Sequence, residues 1–264
     1  MTTLSFAAAD SATMLRRNLK RMQRYPAMTL MIIAVPVIFL LLFVYVFGGT
    51  LGAGLGHLGG GRAAYLRYVT PGIILLTLGT QATSTAVSVA MDMSSGIIAR
   101  FRTMAIARVS VLTGHVLGSM IQALIGMALV IGIAAAMGFR ASTGPLSWLA
   151  AAGLLVLIAF AITWLSVALG LVSGSVETAS NLPMFLMILP FLGSGFVPTQ
   201  TMPVGLRWFA EYQPFTPVIQ TVRGLLVGGP IGDNAIVAIA WGVGIAALSY
   251  LWARRLYRRP MQVK

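Results

Sequence analysis

Ala27-Met-Thr-Leu-Met-Ile-Ile-Ala-Val-Pro-Val-Ile-Phe-Leu-Leu-Leu-Phe-Val-Tyr-Val-Phe47 runs for 21 residues without a charge. At helical rise it reaches about 31 Å, the thickness of one hydrocarbon core. Basic residues precede it, as they precede a secretory signal, yet the apolar region of a signal covers only about 7–15 residues. No small-x-small cleavage site follows directly, so the run reads as a retained membrane span. Pro36 lies inside it, where neighbouring helices can cover the carbonyl that a proline leaves unbonded.

Five more apolar runs follow, at 69–91, 111–137, 148–172, 182–197 and 235–253. The expected fold is therefore an all-α polytopic membrane protein with six transmembrane helices. The fifth run is short and carries Pro183 and Pro190. It either crosses together with residues after Val197 or packs against other helices instead of lipid. Between it and the sixth run, 198–232 interleaves Pro203, Pro214, Pro217 and Pro230 with Trp208, Phe209, Phe215, Leu225 and Leu226. That stretch is too apolar for a solvated loop and too broken for a span, which predicts short re-entrant or interfacial helices.

Composition agrees. The chain is 58% hydrophobic and 9% charged, with a mean hydropathy of +0.91, too few polar side chains to clothe a water-soluble globule of 264 residues. Its formal charge of +13 would raise nucleic acid as a partner in a soluble protein. Here the charge sits in clusters between apolar runs and sets orientation, so nucleic acid is set aside. Thirteen basic residues fall on the side of the N-terminus, among them Arg16, Arg17, Lys20, Arg100, Arg102, Arg108, Arg254 and Arg255. Five fall opposite: Arg62, Arg67, Arg140, Arg207 and Arg223. The positive-inside rule then places both termini in the cytoplasm. Three regions result: a cytoplasmic amphipathic basic helix at 1–26, a six-helix transmembrane domain at 27–253, and a basic cytoplasmic tail at 254–264. In the first, Ala12, Leu15, Leu19 and Met22 recur at helical spacing with arginines and lysine on the remaining positions, a pattern suited to a membrane interface.

Sources of energy can be tested one by one. A phosphate-binding loop needs Gly-Lys followed by Ser or Thr, and no Gly-Lys pair occurs, so the chain does not hold ATP in that manner. Proton coupling usually needs an ionisable group within the bilayer. The five acids, Asp10, Asp92, Glu177, Glu211 and Asp233, each fall at or outside a span end. His115, near the start of the third span, reads as a partner in a helix-end or helix-helix hydrogen bond. There is no cysteine, no metal-ligand spacing, and no zinc-protease or nucleophile-elbow motif. What remains is a membrane body without a catalytic residue, whose work comes from another subunit.

Two features could receive or channel that work. Segment 92–110, between the second and third spans, mixes Ile97, Ile98, Phe101, Met104 and Ile106 with Arg100, Arg102 and Arg108, so one side can rest on the membrane and the other can meet a soluble partner. The second span carries Thr77, Thr80, Gln81, Thr83, Ser84, Thr85 and Ser88. That polar density predicts a helix facing the protein interior, and Gln81, Ser84, Thr85 and Ser88 become candidates for a substrate path.

The stretch Gly96-Ile-Ile-Ala-Arg-Phe-Arg102, with Ala107-Arg108 after it, resembles the cytoplasmic signature of ABC-2 type permeases, specifically the daunorubicin/doxorubicin-resistance drug-exporter branch. Phe39-Leu-Leu-Leu-Phe-Val-Tyr-Val-Phe-Gly-Gly49, Pro71-Gly72, Phe196-Val-Pro198 with Thr201-Met-Pro203, and Arg223-Gly-Leu-Leu-Val-Gly-Gly229 are similar to the same branch. The sequence departs from it at Ala99 and Ala105, where an acid and a proline are common. The resemblance implies a half-transporter in a bacterial plasma membrane. This chain would pair with a second copy or a homologue and dock on separate ATP-binding subunits, which carry ATP and magnesium, while it binds no cofactor itself. It also implies that Asp92, Gly96, Arg100, Phe101, Arg102, Arg108 and Glu177 couple to those subunits. The first and fifth spans would meet at the subunit seam, adding Phe185 and Phe191 to the path.

The expected function is the permease of an ATP-driven exporter of hydrophobic or amphipathic compounds such as antibiotics, working among membrane lipids. Export of lipid, glycolipid or polysaccharide is the alternative within the class. A non-transporting membrane assembly factor or scaffold is the alternative outside it.

Overall fold

The computed structural model of the chain describes residues 26–55, 60–95 and 108–258, together with Arg16 and Lys20. Every regular element among them is helical. The basic helix expected at 1–26 lies outside the described residues apart from Pro26 and those two exposed cations, and so do residues 96–107 and the end of the tail, 259–264.

The first apolar run forms α1 (Pro26–Leu41), a π-helical turn (Leu42–Phe47) and α2 (Gly48–Ala53), giving a continuous apolar stretch Ile33–Ala53. Next comes α3 (Gly61–Ser94), at 34 residues the longest element. It is about 51 Å from end to end and overhangs a hydrocarbon core of about 30 Å. Hydropathy registers only the part that lipid or core surrounds, so the run at 69–91 underestimates it at both ends, where Arg62, Arg67 and Asp92 stand. Then follow α4 (Arg108–Ala136), α5 (Pro145–Val172), α6 (Val176–Asn181), α7 (Met184–Ile188), a 3-10 turn (Thr199–Thr201), α8 (Val204–Tyr212), α9 (Phe215–Val227) and α10 (Asn234–Arg258).

Five stretches are long and apolar enough to cross a membrane: Ile33–Ala53, Gly61–Ser94, Leu112–Ala136, Pro145–Val172 and Asn234–Tyr257. These match five of the six runs read from the sequence. The fifth run, 182–197, is not a span-length helix. Pro183 immediately precedes α7, and α7 stops before Pro190, as the missing donors and ring sterics of proline demand. The segment packs along α3, with Met184, Phe185 and Ile188 left exposed on its other side.

The reason is visible in α3, which is the axis of the molecule. Tyr65, Ile73, Ile74, Leu75, Leu76 and Leu78 are all fully buried, and α3 touches α1, α2, α4, α5, α6, α7 and α9. Two of its glycines admit the broken segment. A Cβ on Gly72 would lie 2.6 Å from the carbonyl oxygen of Gly195, and one on Gly79 would lie 2.7 Å from Cα of Met187. Backbone therefore meets backbone, as in small-residue helix contacts inside membranes. On α5, Gly170 approaches the Ala86 carbonyl in the same way, while Gly174, just beyond its end, faces open space.

Region 198–232 folds as short helices, as its prolines predict. Of these, α9 is a core element: Phe215, Val218, Ile219, Val222 and Leu226 pack into the bundle. By contrast α8 buries only Ala210 and leaves Val204, Trp208 and Tyr212 exposed.

Candidate functional site

Three predicted features gather at one end of the bundle. Asp92, in the last turn of α3, is buried at 5% exposure, and its Oδ2 lies 3.1 Å from Nε2 of His115, itself 2% exposed. Around them Val89, Leu112, Val116, Trp164, Val167, Ala253 and Tyr257 form a separate apolar cluster. The pair ties the end of α3 to the start of α4 and closes the base of the 96–107 segment. His115 thus has the helix-helix role read from the sequence. Asp92, expected to face a soluble partner, instead turns its carboxylate inward to His115. Gly96, Arg100, Phe101 and Arg102 lie outside the described residues, and Arg108 is described only in its helical backbone.

The turn between α5 and α6 lies at this end too, because Gly170 packs on Ala86 and Val89. Ser173 ends α5, and the side chain of Ser175 caps α6 by accepting the Thr178 amide at 3.1 Å. Glu177 follows in the first turn, exposed. The basic end of α10, with Arg254 and Arg255 exposed, completes the face, since Ala253 and Tyr257 belong to the same apolar cluster.

The polar stripe of α3 faces inward as expected. Thr70, Thr77 and Thr85 are buried and donate to the carbonyls of Leu66, Ile73 and Gln81, four residues earlier, which satisfies them within their own helix. Gln81 reaches across to α4, its Nε2 donating to Oε1 of Gln122 at 3.1 Å, while its own buried Oε1 has no partner. Ser84 and Ser88 are half-buried. Phe185 and Phe191, paired in expectation, are separated in environment. Phe191 stacks on Phe196 at 4.2 Å and meets Phe39 edge-on at 5.5 Å, binding the broken segment to the first span. Phe185 is exposed on α7 beside Met184 and Ile188, an outward apolar stripe.

One organising residue was not singled out from the sequence. Arg223, on α9, donates from Nε and Nη2 to the Tyr68 carbonyl at 3.2 and 3.0 Å and from Nη2 to the Ser194 carbonyl at 2.6 Å, and it stacks over the Tyr68 ring at 3.8 Å. It clamps α9 to α3 and to the broken segment at the end opposite Asp92. An arginine inside an apolar, proline-framed helix was the available signal.

Comparison with known proteins follows from this architecture. Residues 11–227 match the family model described as ABC-2 type transporter. The chain is 28% identical over 255 residues to the daunorubicin resistance ABC transporter permease protein DrrB1 of Streptomyces coeruleorubidus, covering 96% of this chain and 88% of that protein. It is 25% identical over 191 residues to the probable doxorubicin resistance ABC transporter permease protein DrrC of Mycobacterium tuberculosis, covering 72% of this chain and 69% of that one.

Proposed function

The chain belongs to the ABC-2 type transporter family, and from that premise we propose that it is the permease of an exporter of hydrophobic or amphipathic drugs, powered by ATP hydrolysis on separate subunits. It is a multi-pass membrane protein. The relatives named for daunorubicin and doxorubicin resistance support a polycyclic, amphipathic cargo. ATP and magnesium belong to the partner subunit, in keeping with the missing Gly-Lys pair.

Six crossings are supported by how the broken segment runs. Gly170 meets Ala86, Met187 meets Gly79, Gly195 meets Gly72, and the Tyr65 hydroxyl donates to the Phe196 carbonyl at 3.1 Å. From Ala86 to Tyr65 is 21 residues of α3, or about 31 Å, so α6, α7 and the turns after them traverse one hydrocarbon thickness beside α3 without touching the length a regular span would need. With six crossings both termini share a side, and the basic clusters make that side cytoplasmic.

The observation that carries the reading is the assembly of Glu177, the base of the 92–110 segment and the basic end of α10 on one face. A soluble subunit docked there can push on α3 and α4 through Gly96, Arg100, Phe101, Arg102 and Arg108, and on α5 and α6 through Glu177. Asp92 acts as a positioning residue at the base of that contact, through His115. The cargo follows the seam beside Gln81, Ser84, Thr85 and Ser88, with Phe185 on the outward stripe that faces a second copy or homologue and Phe191 behind it.

The test is drug-stimulated ATP turnover after co-expression with the ATP-binding subunit and reconstitution in liposomes. Glu177→Ala and Arg100→Ala are expected to lower stimulated turnover roughly tenfold, about 1.4 kcal/mol of coupling, with insertion unchanged. Wild-type stimulation in both variants would remove the coupling assignment.

A further inference from the structure

Beside the Arg223 clamp lies an open cavity of about 510 Å³ whose walls include Arg67, Tyr68, Ser194, Gln200, Gln220 and Arg223. Its lining contains two arginines and no acid. The partners of Arg223 are two backbone carbonyls and a tyrosine ring, all neutral, so its charge is solvated by dipoles and compensated by no carboxylate. A half-buried guanidinium in such surroundings favours an anion strongly, and its planar fork matches phosphate oxygens.

A second observation points to the same ligand. Ser194 is 2% exposed, its carbonyl accepts from Arg223 and its amide donates to Thr216 Oγ1, yet its hydroxyl has no hydrogen-bond partner. A buried hydroxyl left unpaired costs on the order of 1–3 kcal/mol unless something at the site completes it. Ser194 lines the cavity with Arg223, and its orphaned hydroxyl lies behind the wall on which an anion would sit.

The depth of the cavity identifies the source of the anion. Arg67 and Tyr68 immediately precede the apolar run of α3, so the cavity opens where the apolar band ends. The helix α8 adjoins the 3-10 turn that carries Gln200, and it exposes Trp208 at 67% and Tyr212 at 65%. Indole and phenol rings gather at the headgroup level of a bilayer. A soluble phosphate ester would have no use for that collar.

We propose that this cavity, at the end of the bundle opposite Asp92, binds the phosphate of an anionic phospholipid headgroup, held by Arg223.

The full chain, purified in detergent, is titrated with dihexanoyl phosphatidylglycerol, dihexanoyl phosphatidylcholine and inorganic phosphate. Both lipids carry the phosphate, but choline cancels its charge. The expected result is one saturable site, with phosphatidylglycerol bound at least tenfold more tightly than either of the others. Arg223→Gln removes a charge-assisted contact and is expected to weaken binding roughly 10- to 100-fold. Because it also loosens the clamp, Gln220→Glu gives a second reading: the Gln220 side chain makes no hydrogen bond among the described residues, so the change places a negative charge in the wall and removes no contact of the clamp. A loss of tenfold or more with unchanged helicity supports the site. Equal binding of the two lipids, unchanged binding by Gln220→Glu, or inorganic phosphate bound as tightly as phosphatidylglycerol would overturn it.

Discussion

Asp92 and His115 stand 23 positions apart, and the segment between them holds the resemblance to a cytoplasmic signature, yet the two side chains face each other in the interior. Removing one partner of a buried polar pair leaves the other unsatisfied. His115→Ala is therefore expected to destabilise the purified protein by about 1–3 kcal/mol, read as a lower midpoint of thermal unfolding in detergent. An unchanged midpoint would show that the pair carries no weight. The sequence placed Asp92 correctly at the end of a span but not its direction, because charge at a helix end looks the same whether it meets water or a neighbour's imidazole. Glu177, which the resemblance implies as a coupling contact, stands exposed in the first turn of α6 behind a capping serine. Arg223 was visible as a charge in an apolar, proline-framed helix, but its acceptors lie 155 and 29 residues away, and no pattern within α9 announces them.

The helices divide by how they were legible. Five runs became helices long enough to cross a membrane because length and hydropathy are properties of the run itself. The sixth, 182–197, has the hydropathy but not the backbone continuity, and only the glycines of α3 reveal where it lies. Gly72 and Gly79 leave room for the backbones of Gly195 and Met187, so a side chain at either position must push the broken segment away. Gly79→Val is expected to lower the thermal midpoint and to abolish stimulated ATP turnover, whereas Gly153→Val, facing open space on α5, is expected to lower neither. Equal tolerance of both substitutions would mean that the contact between α3 and α7 does not form. The same contrast separates α8 and α9. Both come from one proline-rich stretch, but only the second buries its apolar residues in the core, while those of α8 stay exposed.

Taken together, the chain is a bundle built around one long helix, with its acid-histidine pair, exposed Glu177 and basic α10 end on one face and a cationic cavity at the other. Leu30, Ile38, Tyr45 and Val46 on the first span and Ile236, Ile239, Leu248 and Leu251 on α10 remain exposed, apolar surface that lipid or a second subunit must cover. On the proposed reading, the direction of transport is imposed at the face that carries Glu177 and the basic end of α10. The decisive measurement is doxorubicin uptake into inverted membrane vesicles holding this chain, with and without its ATP-binding subunit, under ATP alone and under an imposed proton gradient alone. Uptake is predicted only when the ATP-binding subunit and ATP are both present. Uptake by the chain without that subunit, driven by the gradient, would contradict the account.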